Sequence, residues 1–383
     1  MTISPNSIGN SMAILISDRF DSGNIKVLDC ENPLRIRLEI REDLRASLFQ
    51  WFHFQVSNCK NEKLVMHITN ASKSSYPRGW SGYETFVSYD MENWFRVPTH
   101  YHQGNLIIEH TSAHDTVFFA YFPPYSHQRH LQLLARCQVE PDTTLEEIGE
   151  SADLRSIGLL RIGVESPNQK KIWIIGRQHP GETMGEWLIE GLLESLYRRA
   201  KLRDLLLSKM VFYIIPNMNP DGSILGNLRT NARGANLNRE WVNPTLQRSP
   251  EVYWVRNRIH ATGVDFFLDV HGDEDLPYCF AAGCEGVPHY SKRLAEQEKR
   301  FRESLTEINP DFQKKFGYEL DEKGQADLRV AANYVCETFG CPALTLEMPF
   351  KENKGNPTQG KGWDHLRAKA LGASVLEVLE KIF

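Results

Sequence analysis

Three residues that could bind one metal ion follow two apolar stretches of the sequence. His179 and Glu182 come just after the run 171–176, and His271 directly follows the run 265–270. If both runs are parallel strands, the residues after them meet at one edge of a sheet, where ligands of such sheets collect. Two histidines and a carboxylate are the protein ligands of an open catalytic zinc site. A solvated His179–Glu182 pair is the alternative, because the chain has 13 histidines and the spacing alone is a weak signal.

A glutamate, Glu347, interrupts the apolar run 343–348. Burying a carboxylate is unfavourable unless it has a partner or a function. A place next to a metal-activated water would supply both, because the metal stabilises the carboxylate and the water gives it a proton to accept. A structural salt bridge is the alternative. Together with the two histidines, Glu347 is therefore a candidate general base.

A polar loop between the apolar runs 211–216 and 265–270 could bind an anion. Residues 227–241 contain three arginines and four asparagines and follow a Pro-Asp-Gly turn signal at 220–222. A guanidinium group matches a carboxylate with two parallel hydrogen bonds, and an amide side chain adds a neutral donor. The sequence therefore predicts an anion-binding loop near the metal. A solvated basic loop paired with nearby acids is the alternative.

These candidate residues require a sheet and helices to position them. Near-continuous apolar character, which suits strands buried on both faces, occurs in four runs: 171–176, 211–216, 265–270 and 343–348. Leucines at helical spacing predict a helix over 182–199, and an amphipathic pattern predicts a closing helix over 363–383. Strands that alternate with helices indicate an α/β domain with a mixed, mostly parallel sheet flanked by helices.

The first third of the chain has a different pattern. Apolar and polar residues alternate in the runs 35–40, 51–56 and 63–69, between turn signals. Several short strands at close spacing predict an all-β sandwich. We therefore expect two domains, an N-terminal β-sandwich over 1–125 and a catalytic α/β domain over 126–383.

Composition excludes several classes of protein. The 383 residues carry a net charge of −5, with 24% charged and 41% hydrophobic residues, which argues against a broadly basic nucleic-acid binder and against a disordered chain. The mean hydropathy of −0.43 and the absence of a long apolar run predict neither a membrane span nor a signal-peptide core, so we expect a cytoplasmic protein. Seven cysteines without a Cys-x-x-Cys pair favour reduced thiols.

The sequence resembles the zinc metallocarboxypeptidases in the order of its candidate residues, which is His179, Glu182, Arg229, Asn238, Arg239, His271 and Glu347. Segments 51–58, 70–74 and 118–125 also resemble the β-domain and linker of the cytosolic carboxypeptidase branch, so the resemblance spans nearly the whole chain. It implies a carboxypeptidase-like α/β domain preceded by a β-sandwich. Some eukaryotic members of that branch trim glutamates from protein C-termini.

The resemblance also implies chemical roles at the metal. His179, Glu182 and His271 would bind one Zn²⁺ per chain. Glu347 would act as general base and then as general acid. Arg229 would polarise the scissile carbonyl and stabilise the oxyanion that forms there.

Four further residues would contact the substrate. By resemblance, Asn238 and Arg239 would hold the terminal carboxylate, so the substrate would be the C-terminus of a peptide or protein. A tyrosine upstream of the catalytic glutamate would close over the substrate; Tyr318 and Tyr334 are the local candidates, and we predict Tyr318. Arg329 would line the pocket of the departing side chain and favour acidic residues there. A surface pair with a nearby acid such as Asp327 is the alternative for Arg329.

Two other functions fit the same residues. Aspartoacylase- or desuccinylase-type zinc amidohydrolases resemble this fold and act on small N-acyl amino acids, but they usually lack a β-sandwich of this kind. In a catalytically weak binding module, the zinc site would be vestigial and the β-domain would dock a partner protein. The buried position expected for Glu347 argues against such a module.

Overall fold

Ten strands in the first third of the chain form two five-stranded sheets. The structure is a computed structural model that describes residues 13–358 and 362–383. The strands are β1 (Leu15–Ser17), β2 (Lys26–Asp29), β3 (Ile36–Glu39), β4 (His53–Ser57), β5 (Lys63–Ile68), β6 (Thr85–Ser88), β7 (Trp94–Val97), β8 (Thr99–His102), β9 (Asn105–Thr111) and β10 (Thr116–Ala120). One sheet has the order β1-β4-β10-β6-β7, and the other has the order β2-β3-β5-β9-β8.

Buried and partly exposed side chains alternate along several of these strands, and the buried side chains of the two sheets form one core. In β5, Leu64, Met66 and Ile68 are buried, whereas the residues between them are partly exposed. Phe54 and Phe119 of the other sheet stack with their ring centroids 5.2 Å apart and belong to the same apolar core. The predicted all-β sandwich is confirmed, and its three predicted runs correspond to β3, β4 and β5.

Seven strands form the sheet of the second part. They are β11 (Thr143–Glu150), β12 (Ser156–Ile162), β13 (Lys170–Gly176), β14 (Met210–Ile215), β15 (Phe266–Asp273), β16 (Phe280–Ala282) and β17 (Ala343–Pro349). Their order is β11-β12-β14-β13-β15-β17-β16, and the four strands β14, β13, β15 and β17 are mutually parallel. The outer strands β11, β12 and β16 pair antiparallel. The predicted mixed α/β fold is confirmed.

Helices cover both faces of this sheet. They are α1 (His127–Cys137), α2 (Met184–Arg198), α3 (Ala200–Lys209), α4 (Pro220–Leu225), α5 (Pro250–Thr262), α6 (Lys292–Ile308), α7 (Ala331–Phe339) and α8 (His365–Ile382). In β13, Ile172 and Ile174 share a core with α2 and α8, whereas Trp173 and Ile175 share a core with α5 and α7. Burial on both faces explains why the run is apolar at nearly every position. Among the described residues, no helix has the length and apolar character needed to cross a membrane.

An apolar contact joins the β-sandwich to the α/β part. The ring of Tyr121, just after β10, stacks on Phe350 just after β17 with 4.5 Å between centroids. The division of the chain at residue 125, which lies between β10 and α1, stays a prediction. Residues 1–12 of the first predicted domain and 359–361 of the second lie outside the described residues.

Candidate active site

His179 and Glu182 lie in the loop that leads from the carboxyl end of β13 into α2. Nδ1 of His179 is 2.7 Å from Oε1 of Glu182. The loop begins at Arg177, which has a positive φ of 56°, and the buried Arg177 guanidinium donates a 2.9 Å hydrogen bond to the Pro180 carbonyl. A charged donor thus holds the backbone between the histidine and the glutamate.

His271 lies near the carboxyl end of β15, the neighbour of β13. Its Nδ1 is 2.7 Å from Oε2 of Glu182 and 3.2 Å from Nδ1 of His179. All three side chains are buried, and their donor atoms lie within 4.8 Å of one another. The structure therefore brings together the three residues that the sequence nominated as metal ligands.

Each histidine has an oxygen partner on its other ring nitrogen. Nε2 of His271 is 2.9 Å from Oδ2 of Asp269, and Nε2 of His179 is 3.0 Å from Oδ1 of Asn236. Oxygen acceptors favour a proton on Nε2, which leaves both Nδ1 lone pairs to bind a metal. Sequence reasoning missed Asp269, although a residue two positions before His271 on a strand shares its face.

The charges of these groups fit a cation. Burial lowers the pKa of His179 to about 4, which favours the neutral imidazole that metal binding requires. Burial alone would raise the pKa of Glu182, but the two histidines outweigh it and lower that pKa. Burial opposes a charge on His271, yet Asp269 and Glu182 raise its pKa well above the usual value. The cluster thus favours an added positive charge, which a zinc ion would supply.

Glu347 lies on β17 directly opposite His271 in the strand register. The residue is 5% exposed, and its Oε2 has no hydrogen-bond partner among the residues that the structure describes. Burial raises the pKa of Glu347 to about 8, against the lowering effect of His271. Glu347 can therefore exchange a proton with a group in the adjoining cavity, and its raised pKa makes the ionised carboxylate a stronger base than an exposed one.

Three residues of the polar loop reach the same place. A terminal nitrogen of Arg229 is 3.9 Å from Oε1 of Glu182, and Nδ2 of Asn238 is 3.4 Å from Nε2 of His271. Arg239 donates a 2.6 Å hydrogen bond to the Asn238 carbonyl. Burial lowers the pKa of Arg239, and the positive charge of Arg229 adds to this effect. A bound anion would relieve the repulsion between the two guanidinium groups.

One cavity of about 1010 Å³ joins these groups. It is large enough for the end of a peptide chain. The predicted site residues that line it are His179, Glu182, Arg229, Asn238, Arg239, His271, Tyr318 and Glu347. Eight of the nine predicted residues therefore share one cavity.

The two candidate tyrosines lie in different surroundings. The Tyr318 hydroxyl lies 3.0 Å from Oε1 of Glu347, within hydrogen-bond distance, and Tyr318 lines the cavity. The Tyr334 hydroxyl lies 2.8 Å from Nε2 of His260, and Tyr334 does not line the cavity. The geometry thus favours Tyr318 over Tyr334 as the residue that contacts a substrate.

The prediction that Arg329 lines the cavity is wrong. Its side chain is 62% exposed and makes two 2.9 Å hydrogen bonds to the carboxylate of Asp327. Arg329 lies in the turn before α7 and is not among the residues that line the cavity. The carboxylate of Asp327 also lies 3.6 Å from Nε of Arg239. The alternative of a surface pair with Asp327 describes Arg329 correctly.

Two residues that sequence reasoning missed also line the cavity. Tyr76 belongs to the β-sandwich, and the Arg229 guanidinium lies 5.7 Å from the centroid of its ring. Glu274 is 5% exposed, and burial raises its pKa well above the usual value. An acidic run after His271 was visible in the sequence, whereas no local pattern singled out Tyr76. The β-sandwich is thus part of the wall of the site.

A second group of potential metal ligands lies elsewhere in the interior. Cys284, Glu298 and Cys336 are buried and close together. The Cys284 thiol donates to the Ala343 carbonyl at 3.0 Å, and Glu298 accepts a 2.8 Å hydrogen bond from the Tyr290 hydroxyl. Burial raises the pKa of the Cys284 thiol well above its usual value. These groups have partners inside the protein, so the arrangement is that of interior side chains.

Comparisons with known proteins find two family matches along the chain. Residues 16–122 match the cytosolic carboxypeptidase N-terminal domain, and residues 131–361 match the zinc carboxypeptidase family. Human cytosolic carboxypeptidase 6 is 29% identical over 312 residues, which are 74% of this chain and 60% of the human protein. This chain therefore spans about 60% of the length of that relative.

Two solved structures resemble nearly the whole chain. The metallo-carboxypeptidase from Burkholderia cenocepacia is 43% identical, with a TM-score of 0.94 over 96% of this chain and 99% of that one. The metallo-carboxypeptidase from Pseudomonas aeruginosa, solved in complex with (2-guanidinoethylmercapto)succinic acid, is 46% identical, with a TM-score of 0.93 over 96% and 98% of the two chains. With a family match over more than half of its length, the chain belongs to the zinc carboxypeptidase family.

Proposed function

We propose that this enzyme removes C-terminal residues from peptides or proteins, with one Zn²⁺ held by His179, Glu182 and His271. The observation that carries the proposal is that this three-residue cluster shares one cavity with the guanidinium groups of Arg229 and Arg239. A metal site alone would suit many hydrolases. A metal site beside two cations selects a substrate that has a negative charge close to the bond to be cleaved.

Arg239 and Asn238 would bind the terminal carboxylate. They are adjacent in the chain, on a short 3₁₀ helix over Leu237–Arg239, so their side chains approach the cavity from one element. A guanidinium group paired with an amide matches a carboxylate better than it matches a neutral amide. Binding of the terminus at this place limits cleavage to the last peptide bond and makes the enzyme an exopeptidase.

Glu347 would move the protons of the reaction. When bound, zinc would act as a Lewis acid and lower the pKa of water from 15.7 to about 7. Glu347 would accept a proton from the attacking water and then donate it to the departing amine nitrogen, first as general base and then as general acid. Arg229 would donate hydrogen bonds to the carbonyl oxygen as negative charge develops on it, a contribution of about 3 kcal/mol in comparable sites.

Tyr318 would contact the substrate over this centre. Its hydroxyl lies within hydrogen-bond distance of both Asp273 and Glu347, and the residue as a whole is 48% exposed. It belongs to a segment, 313–330, without helix or strand. Because Tyr318 lies on an exposed segment and its hydroxyl reaches the buried Glu347, its side chain is suited to cover the end of a bound peptide.

The expected preference for acidic C-terminal residues rested on Arg329. Because Arg329 does not line the cavity, the structure gives no support for that preference. The compound bound in the structure of the Pseudomonas aeruginosa relative is a succinic acid with a guanidine-bearing arm. Its carboxylates are groups that Asn238 and Arg239 could hold here, but its arm is basic. We therefore propose a carboxypeptidase without assigning the charge of the residue that it releases.

We also propose that the protein works in the cytoplasm. The curated relatives with functional names are called cytosolic carboxypeptidases. All seven cysteines are free thiols, which suits a reducing compartment. Fractionation of cells that express the tagged chain tests this localisation.

One experiment tests the proposed activity. The purified enzyme loaded with zinc is incubated with a library of peptides, and the products are identified by mass spectrometry. We expect products shortened by one residue at the C-terminus, with free amino acids released. Cleavage inside the peptides, or hydrolysis of N-acyl amino acids alone, would contradict the proposal.

A further inference from the structure

A loop of the β-sandwich reaches the segment that carries Arg229. Asp43, in the loop between β3 and β4, is 3% exposed. Its carboxylate accepts hydrogen bonds from the backbone N–H of Leu228, from that of Arg229 at 2.9 Å and from that of Thr230 at 2.9 Å. The hydroxyl of Thr230 adds a fourth hydrogen bond at 3.0 Å. One carboxylate from the first part of the chain thus binds three consecutive peptide groups of the second part.

This contact fixes the backbone from which the Arg229 side chain projects. Residues 227–236 contain no helix or strand, so no regular ladder satisfies their N–H groups. A buried N–H group without an acceptor is costly, and hydrogen bonds to a charged acceptor are about twice as strong as neutral ones. The same segment is tied to the metal-binding loop, because Gly181 donates a 2.9 Å hydrogen bond to the Leu228 carbonyl.

Close packing supports this arrangement a few residues further along. Gly234 has a φ of 76°, and a Cβ atom built on it would lie 2.5 Å from the Arg45 carbonyl oxygen. A side chain at position 234 would therefore push the polar loop away from the loop that holds Asp43. Leu44 also donates a 3.1 Å hydrogen bond from its N–H to Oδ1 of Asn227. The loop of the β-sandwich and the polar loop fit each other over several residues.

We propose that Asp43 is a positioning residue for catalysis, through which the β-sandwich holds Arg229 in the place where it acts on the scissile carbonyl. The inference rests on the role of Arg229 in the proposed function. It gives the β-sandwich a part in the chemistry that neither its fold nor its aromatic core suggests. Asp43 itself does not line the cavity, so it acts through Arg229.

The test compares Asp43→Ala, Arg229→Ala and the double variant on one peptide substrate. The expected loss of kcat is about 100- to 1000-fold for Arg229→Ala, as for a lost oxyanion donor. For Asp43→Ala it is about 10- to 100-fold, as for a displaced catalytic group. In the double variant, kcat should be no lower than in Arg229→Ala alone. All variants should keep the zinc content of the wild type.

Asp21→Ala is the matched control. Asp21 is also a β-sandwich carboxylate that accepts a backbone N–H of the second part, from His127, but it does not touch residues 228–230. It should keep wild-type kcat. Asp43→Asn, which keeps the shape and loses the charge, is the second variant in case Asp43→Ala does not fold, and it should also lower kcat.

An observation independent of turnover completes the test. In enzyme labelled with ¹⁵N-arginine, the Nε–H signal of Arg229 is the one absent from Arg229→Ala. It should shift or broaden in the Asp43 variants and stay unchanged in Asp21→Ala. Full kcat in a folded Asp43 variant, an unmoved Arg229 signal, or an equal loss of kcat with and without Arg229 would overturn the inference. An inactive wild type, or a fully active Arg229→Ala, would instead contradict the proposed function, while the Arg229 signal would still report on Asp43.

Discussion

The phenolic oxygen of Tyr318 lies 3.0 Å from Oε1 of Glu347, although Tyr318 is half exposed and Glu347 is buried. The same hydroxyl lies 2.7 Å from Oδ2 of Asp273. A hydroxyl has one proton to donate, so it can serve only one of these carboxylates at a time. The tyrosine can therefore exchange partners as Glu347 gains or loses a proton.

Removal of this hydroxyl should slow the reaction without stopping it. Tyr318→Phe deletes one hydrogen bond to Glu347, the proposed general base; this bond is worth roughly 1 kcal/mol, so kcat/KM should fall by about 5- to 10-fold. Steady-state kinetics on a peptide substrate measures the change. Tyr334→Phe is the control, because the Tyr334 hydroxyl pairs with His260 away from the cavity, and it should match the wild type. An equal effect of both variants would show that Tyr318 has no special role.

Loss of the metal and loss of the base should be separable by mutation. Glu347→Gln keeps the shape of the side chain but cannot accept a proton, so kcat should fall by about 100-fold or more while zinc remains bound. His179→Ala removes a proposed zinc ligand, so the purified protein should contain little zinc. Elemental analysis and kinetics on the same preparations give both quantities. Normal turnover by Glu347→Gln would rule out its role as general base.

The substrate should need a free terminal carboxylate. Amidation of the peptide removes the charge that Asn238 and Arg239 are proposed to bind, and a hydrogen bond to a charged group is worth about 1.5 to 3 kcal/mol. The kcat/KM ratio of free-acid to amidated peptide should therefore be at least about 10. Acetylation of the N-terminus is the control and should change little. In Arg239→Ala, the discrimination between acid and amide should shrink; equal cleavage of both peptides by the wild type would argue for an endopeptidase.

The sequence predicted which residues of the candidate site lie together better than it predicted the groups around them. His179, His271 and Glu347 could be found because each lies on or just after an apolar strand, and parallel strands bring these positions to one edge. Asp269 could have been found from strand periodicity alone. Asp43 could not, because it contacts Arg229 across 186 residues of sequence, and no local pattern encodes which loop of one domain meets which loop of another.

The same reasoning explains the weaker parts of the fold prediction. The central strands are apolar on both faces and were visible as continuous runs, whereas the edge strand β11 is partly exposed along its length and gave no such run. The position of Arg329 cannot be predicted in the same way, because the sequence does not show that α7 begins at Ala331. A residue in the turn before a helix can face either the cavity or the solvent. The hydrogen bond to Asp327 holds the Arg329 side chain on the solvent side.

Arg329→Ala should therefore leave the side-chain preference unchanged. Its guanidinium is exposed and already paired with Asp327, so it contributes no unpaired charge to the pocket. Relative kcat/KM values for peptides ending in Glu, Leu and Lys should agree between variant and wild type within about twofold, because a screened surface charge contributes little. If Arg329→Ala lowered kcat/KM for the Glu peptide only, Arg329 would contact the departing side chain after all.

The buried carboxyl group of Glu298 should make stability depend on pH. Burial, with a further contribution from Glu285, raises its pKa from 4.5 to about 7, although Tyr290 and Arg302 act in the opposite direction. Because the folded-state pKa is the higher one, the native protein binds more protons than the unfolded chain between these values. The contribution of Glu298 to stability is therefore fully present below about pH 4.5 and is lost as the pH rises through about 7.

Glu298→Gln mimics the protonated form, since its amide can donate to Tyr290 and its oxygen can accept from the N–H of Cys284. Relative to the wild type, the variant should gain stability between pH 5 and pH 8, by at most about 3 kcal/mol at roughly 1.4 kcal/mol per pH unit. Urea unfolding of both proteins at the two pH values measures this difference. Glu296→Gln, on the exposed side of the same helix, should show no such gain. If the two variants respond to pH alike, Glu298 is ionised in the native protein at neutral pH, and Arg302 and Tyr290 outweigh its burial.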